Sequence, residues 1–200
     1  MHSRADALSE GPLHPPGPAE RKGLQALGGA AVVGAALMVI WIMAGLWLFV
    51  VPPADHARRA DVLLVLGPPD DRMDYAEQLM QHGDAGTLAV SSPVDNAGQF
   101  TAPICKAATA YPVICFHPEP FTTQGEARSL QALAQQHSWH SANVLTAQFH
   151  ITRARVIVAR CYTGDLRMLD YSPQLSLGAW AYQYAYQSAA FLKVAVHPGC

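Results

Sequence analysis

Formal charge is absent from residues 23–51 of this 200-residue chain, a stretch that includes AAVVGAALMVIWIMAGLWLFVV. A buried core helix, the plainer alternative, would need polar residues on at least one face. The run exceeds the ~20 apolar residues that carry a helix across a bilayer core and the ~7–15-residue apolar region of a secretory signal. A small-x-small cleavage site after a short apolar core is also missing, so the run is expected to be an uncleaved signal-anchor. The chain has 13 Lys and Arg against 15 Asp and Glu, a net charge of −2, and its basic residues are scattered. No basic stripe follows from them, which argues against a nucleic-acid partner. There is no internal repeat. The four cysteines form no CxxC pair, which excludes zinc-ribbon and thioredoxin-type motifs, and no metal ligand set is expected.

The cysteines that are present, Cys105, Cys115, Cys161 and Cys200, are even in number. In an oxidising compartment they would form one or two disulfides; in the cytoplasm they would be unrelated thiols. Cys105 and Cys115 flank the connection into a strand and are the expected pair, with Cys161 as the alternative partner of either. Arg21 and Lys22 precede the span, Arg58 and Arg59 follow it, and Arg4 adds little, so flanking charge barely sets an orientation. The cysteine count favours a domain outside the cytoplasmic membrane. Trp41 and Trp47 fit an interfacial belt if the span is shifted toward its C-terminal end.

The expected organisation is a disordered Pro/Gly-rich tail over 1–22, the anchor over 23–51, a linker over 52–60 and one α/β domain over 61–200. Asp61-Val-Leu-Leu-Val-Leu-Gly67 reads as a strand buried on both faces. Further strands are expected at 87–91, 112–116, 143–146 and 164–169. Helices are expected over 72–82 (ended by Gly83 and Gly86), before Tyr111, over 122–136, over 149–161 and over 175–196, the last packing back on the sheet. This alternation predicts a Rossmann-like, doubly wound, mostly parallel sheet. Such sheets bind ligands outside the carboxyl ends of their strands, where helix N-termini point at the crevice.

Three segments fall at such positions. Gly67-Pro-Pro-Asp-Asp-Arg72 leaves the first strand; it is not GxGxxG, and it is either a turn with a solvated Arg72 or a place where Arg72 meets an anion. In Phe121-Thr-Thr-Gln-Gly-Glu126, Thr123 and Glu126 have capping-box spacing, while Thr122 or Thr123 could instead hold a ligand oxygen. Thr146 ends a strand, and His150 and Arg153 stand three apart on the next helix, where they share a face. That pair suits acid/base and anion-clamping roles; a structural histidine is the plainer alternative.

The order D-V-L-L-V-L-G…R, T-x-G-E-A and V-L-T-A-x-F-H-x-x-R-A across residues 61–169 resembles the SanA/ElyC/YdcF-like family. The resemblance implies a Rossmann-like domain behind one span, with a part in cell-envelope biogenesis. It also implies site positions at Gly67, Arg72, Ser91, Thr123, Glu126, Thr146, His150 and Arg153. The family's Ser-Gly-Gly after the second strand is here Ser91-Ser92-Pro93, and a family carboxylate at Gly125 is missing. The expected function is binding or conversion of an anionic or phosphorylated small molecule. A non-catalytic scaffold of envelope assembly is the alternative. S-adenosylmethionine binding, known in a soluble branch, would need a cytoplasmic domain; the residues themselves specify no cofactor.

Overall fold

The computed structural model describes residues 17–69 and 71–200; positions 1–16 of the predicted tail, and Asp70, lie outside it. The described chain divides into two compact units at Met43 and Ala44. In the first, helix α1 (Pro18–Gly45) begins; it continues into a π-helical turn at Leu46–Val50. Its apolar stretch, Leu27–Val50, is long and apolar enough to cross a membrane. At 1.5 Å per residue, 24 residues span ~36 Å, more than the ~30 Å of a bilayer core.

The second unit is built on five parallel strands: β1 (Ala60–Val65), β2 (Ala85–Ser91), β3 (Val113–Phe116), β4 (Ser141–Ala147) and β5 (Asp165–Tyr171). Their order in space is β3-β2-β1-β4-β5. Between them run α2 (Met73–His82), α3 (Thr123–His137) and α4 (Ile151–Cys161), with α5 (Leu177–Val196) last. Successive β1 side chains point to opposite faces. Val62, Leu64 and Leu66 pack with Ala127 and Leu130 of α3 and Ala154 and Val158 of α4. Leu63 and Val65 pack with Ala76, Leu79 and Met80 of α2. Helices therefore cover both faces, and the chain is an α/β protein with a Rossmann-like, all-parallel sheet. The near-continuous apolar run of β1 is what a strand buried on both faces requires.

β1 lies between β2 and β4, so the chain turns outward in opposite directions on its two sides. In sheets of this kind such a switch point, here at the carboxyl ends of β1 and β4, is where the ligand crevice lies. The opposite, amino-terminal ends are tied by Asp61, whose carboxylate accepts from the His140 and Ser141 amides at 2.7 and 2.9 Å and from the Ser141 hydroxyl. These donors, the His140 amide first, hold its pKa below the usual carboxylate value. Asp61 is therefore a structural clamp at the end of the sheet remote from the crevice.

Four expectations are corrected. Before Tyr111 there is only a 3-10 turn at Pro103–Lys106, flanked by extended Ala102 and Ala107; Cys105 within it is bonded to Cys115 of β3, a tie that leaves the short connection no length for a longer helix. Gly83 does end α2, in the left-handed conformation at φ 81°, but Gly86 lies inside β2. Helix α5 does not layer on the sheet as expected, because α3 and α4 already occupy that face. It packs instead on α4 and on the last turn of the apolar run, where Phe49 meets Tyr184 and Phe191 at centroid distances of 5.5 and 6.1 Å. The second cysteine pair is Cys161–Cys200, beside the expected Cys105–Cys115, so Cys161 is not an alternative partner within the first pair.

Candidate functional site

The loops leaving β1, β2 and β4 and the first turns of α3 and α4 bring most of the singled-out residues together. The capping-box reading of Thr123 and Glu126 does not hold. The N-cap is Thr122, whose hydroxyl accepts from the Gly125 amide at 3.3 Å. This one-residue offset frees both partners of the expected box. Glu126 turns into the crevice, where it is 4% exposed and accepts from the Gly67 amide at 2.6 Å. Thr123 turns toward α4, with its hydroxyl 3.2 Å from His150 Nε2, a pair that exchanges donor and acceptor with the imidazole tautomer.

Close packing explains the two glycines. A Cβ on Gly67 would sit 2.9 Å from both the Ser91 carbonyl and the Phe121 ring, so only glycine lets β1 deliver its amide to Glu126. A Cβ on Gly125 would overlap the Pro120 carbonyl. The carboxylate that the family resemblance places at Gly125 therefore has no room here, and Glu126 supplies one instead. Gly125→Ala is expected to destabilise the fold by ~1–3 kcal/mol through overpacking against backbone. Its urea midpoint, compared with that of the exposed α3 change Gln136→Ala, measures the effect; equal midpoints would contradict this packing.

Arg72 is 8% exposed, although a turn with a solvated arginine was one expectation. Its guanidinium donates to Asp71 at 2.9 Å and to the Leu66 carbonyl at 3.3 Å, which folds it back over the end of β1. Arg153 donates to Gln187 Oε1 at 2.9 Å and lies 6.0 Å from the centroid of the Tyr186 ring. Burial pushes the Glu126 pKa up, against the pull of the Gly67 amide, the Ser91 hydroxyl, Arg72 and Arg153. Both arginines also act on His150. Burial, then Arg153, then Arg72 push that imidazole down to about 3, so it is neutral at physiological pH. Arg72, Glu126, His150 and Arg153 thus form one electrostatic cluster.

Ser91 and Thr146 are fully buried at the carboxyl ends of β2 and β4. Ser91 Oγ faces Glu126 without making a hydrogen bond of normal geometry, and Thr146 Oγ1 and His150 Nδ1 also have no partner. A buried polar atom left unpaired costs ~1–3 kcal/mol, so three around one crevice are a concentrated expense. The starts of α2, α3 and α4 add their amide ends to the same side of the sheet.

Sequence reasoning missed Gln187 and Tyr186, because helix α5 was expected to cover the sheet and not to wall the crevice. It also missed His117, whose Nδ1 is 3.0 Å from the Ser92 carbonyl and whose ring stacks on Phe121 at 5.0 Å. An aromatic, glutamine-bearing helix with almost no charge was the available signal for the first two.

Two open concavities lie elsewhere. One of about 460 Å³, lined by Gln131, Trp139, His140, Tyr162 and Gly164, is at the amino ends of β4 and β5. Another of about 390 Å³ includes Asp71, Asp74, Tyr75 and Asp170 and so adjoins the cluster through the partner of Arg72. Volume favours the first, but it lacks the helix N-termini and the unpaired buried groups, and the chemistry is concentrated at the switch point. Among the described residues no three His, Cys, Asp or Glu side chains converge as a metal site. Comparison with protein-family models, with curated proteins and with solved structures finds no match to this chain.

Proposed function

We propose that this chain is a membrane-anchored cell-envelope protein of SanA/ElyC/YdcF-like type whose crevice binds an anionic or phosphorylated small molecule. The observation that carries the reading is the set of unpaired, buried Ser91 Oγ, Thr146 Oγ1 and His150 Nδ1 beside two arginines. A ligand oxygen satisfies hydroxyl donors, and its charge is favoured by Arg72, Arg153 and the helix N-termini. Glu126 offsets part of that positive charge, so a ligand that can also donate a hydrogen bond, such as a phosphomonoester carrying hydroxyls, fits better than a bare anion. Neutral His150 accepts a proton only once a bound anion raises its pKa, and Thr123 orients the ring. Two disulfides support placing the domain on the oxidising side of the membrane. There, S-adenosylmethionine is not at hand.

The scaffold reading is favoured by one observation: both guanidinium groups already have protein acceptors. Thermal unfolding of the full-length chain in detergent, with inorganic phosphate, glycerol phosphate or a sugar phosphate added, separates the two. A ligand at 100 times its Kd adds ~2.7 kcal/mol of stability. The wild type is expected to respond to at least one of these, and Arg153→Gln to lose the response. No response in the wild type, or an equal response in Arg153→Gln, rejects the anion site and leaves the scaffold.

A further inference from the structure

Helix α5 buries one side and leaves the other bare. Gln187, 1% exposed, and the rings of Tyr184 and Phe191 face the domain. On the opposite side, Tyr182, Leu192 and Val196 are 65, 71 and 70% exposed. Exposed Ala185 and Ala189 join them at helical spacing. The exposed side of a surface helix in water is ordinarily charged or polar. Here the 20 residues carry a single charge, Lys193, at the edge of the bare face.

The position of the apolar run says what covers this face. The stretch Leu27–Val50 is 24 residues long, a turn more than the ~20 that a bilayer core needs. The last turn carries exposed Trp47, a residue type enriched in the interfacial layer, which assigns the spare turn to that end. That turn is also built into the domain: Phe49 is buried against Tyr184 and Phe191, Thr152 Oγ1 donates to the Leu48 carbonyl at 2.8 Å, and Gln148 donates to the Val50 carbonyl. A helix fixed to the exit turn of a span is held at the membrane surface. Tyrosines are enriched in that layer, and a lysine at the edge of an apolar face reaches the head groups while its stem stays apolar.

We propose that α5 beds the face formed by Tyr182, Ala185, Ala189, Leu192 and Val196 in the interface of the bilayer that the apolar helix crosses. The span then anchors the domain, and α5 gives it a second contact with the bilayer. The proposal rests on the reading that Leu27–Val50 spans a membrane.

The native cysteines are all in disulfides, so single cysteines can be introduced and spin-labelled in the full-length chain. Ala185→Cys and Leu192→Cys are the test positions, Gln99→Cys the aqueous reference and Val33→Cys the reference within the span. Each is placed in nanodiscs of phosphatidylcholine and phosphatidylglycerol at one chain per disc. Labels at 185 and 192 are expected to be several-fold less accessible to a water-soluble nickel chelate than the label at 99, and more accessible to oxygen. If 33 reads as lipid but 185 and 192 read as water, α5 is not at the interface. If 33 also reads as water, the membrane reading itself fails. Protection at 185 and 192 that requires two chains per disc assigns the face to a second copy and overturns the proposal.

Discussion

Lowering the pH from 7 to 4 is expected to destabilise the wild-type domain by ~3 kcal/mol more than it destabilises His150→Gln. The folded protein holds His150 at about 3, against 6.5 for an ordinary histidine, because the ring is desolvated and faces Arg153 and Arg72. An unfolded chain takes up a proton at this position below pH 6.5, whereas the folded chain does not until about pH 3. The sign follows. The contribution to stability is fully present above pH 6.5 and is lost progressively as pH falls toward 3. Each pH unit in that window costs up to ~1.4 kcal/mol, which sums to ~3 kcal/mol by pH 4. Carboxylates elsewhere titrate equally in both proteins, so the difference between them isolates the imidazole. Urea unfolding followed by tryptophan fluorescence at pH 7, 6, 5 and 4 gives the two slopes. Parallel slopes would mean that His150 is accessible to water and to protons. A bound anion should narrow the gap, because its charge raises the folded-state pKa. The same titration with and without a phosphate ligand therefore also reports on the proposed site.

The sheet was legible because its strands are short apolar runs ended by Gly, Pro or polar residues. Asp61 to Gly67 and 143–146 needed no tertiary information. The helices over 72–82, 122–136 and 149–161 were equally plain, since their apolar residues recur at helical spacing. Misreadings began where the outcome depends on which partner arrives. Thr122 and Thr123 are adjacent and both cap well, so sequence alone could not show that Thr122 wins. That one-position difference converts Glu126 from a local cap into a buried partner of the Gly67 amide, 59 residues away. Helix α5 failed for the opposite reason. Its apolar content signalled burial but not against what, and the apolar surface that it partly meets belongs to the end of the span. Gln187 and Tyr186 became visible as crevice residues only when Arg153 was seen to reach them. Cysteine pairing is likewise a property of the fold: spacing suggested Cys105 with Cys115, but nothing local connects Cys161 to a residue 39 positions on.

That second pair carries the other large expected effect. Replacing Cys161 and Cys200 together by alanine is expected to lower stability by ~4 kcal/mol, and replacing Cys105 and Cys115 by ~3 kcal/mol. The ordering comes from the loops closed in the unfolded chain, whose entropy cost rises with the logarithm of their length. The sequence separations are 39 and 10, with Cα–Cα distances of 5.0 and 5.8 Å. The longer bridge does more than shorten the unfolded chain. It holds the last residues beside α3, where Arg128 donates to the Cys200 carbonyl and Gln124 to the Gly199 carbonyl at 2.9 Å. Both donors lie in the first two turns of the helix that presents Thr123 and Glu126 to the crevice. Loss of this bridge should therefore loosen the start of α3 as well as lower the global midpoint, whereas loss of Cys105–Cys115 should not. Amide exchange separates the local effect from the global one: protection over 124–130 should fall in the Cys161/Cys200 variant while that of α2 falls only with overall stability. A Cys161/Cys200 variant as stable as the wild type, or less affected than the Cys105/Cys115 variant, would show that loop length does not govern these bridges. Unchanged protection of α3 would detach the C-terminal segment from the crevice.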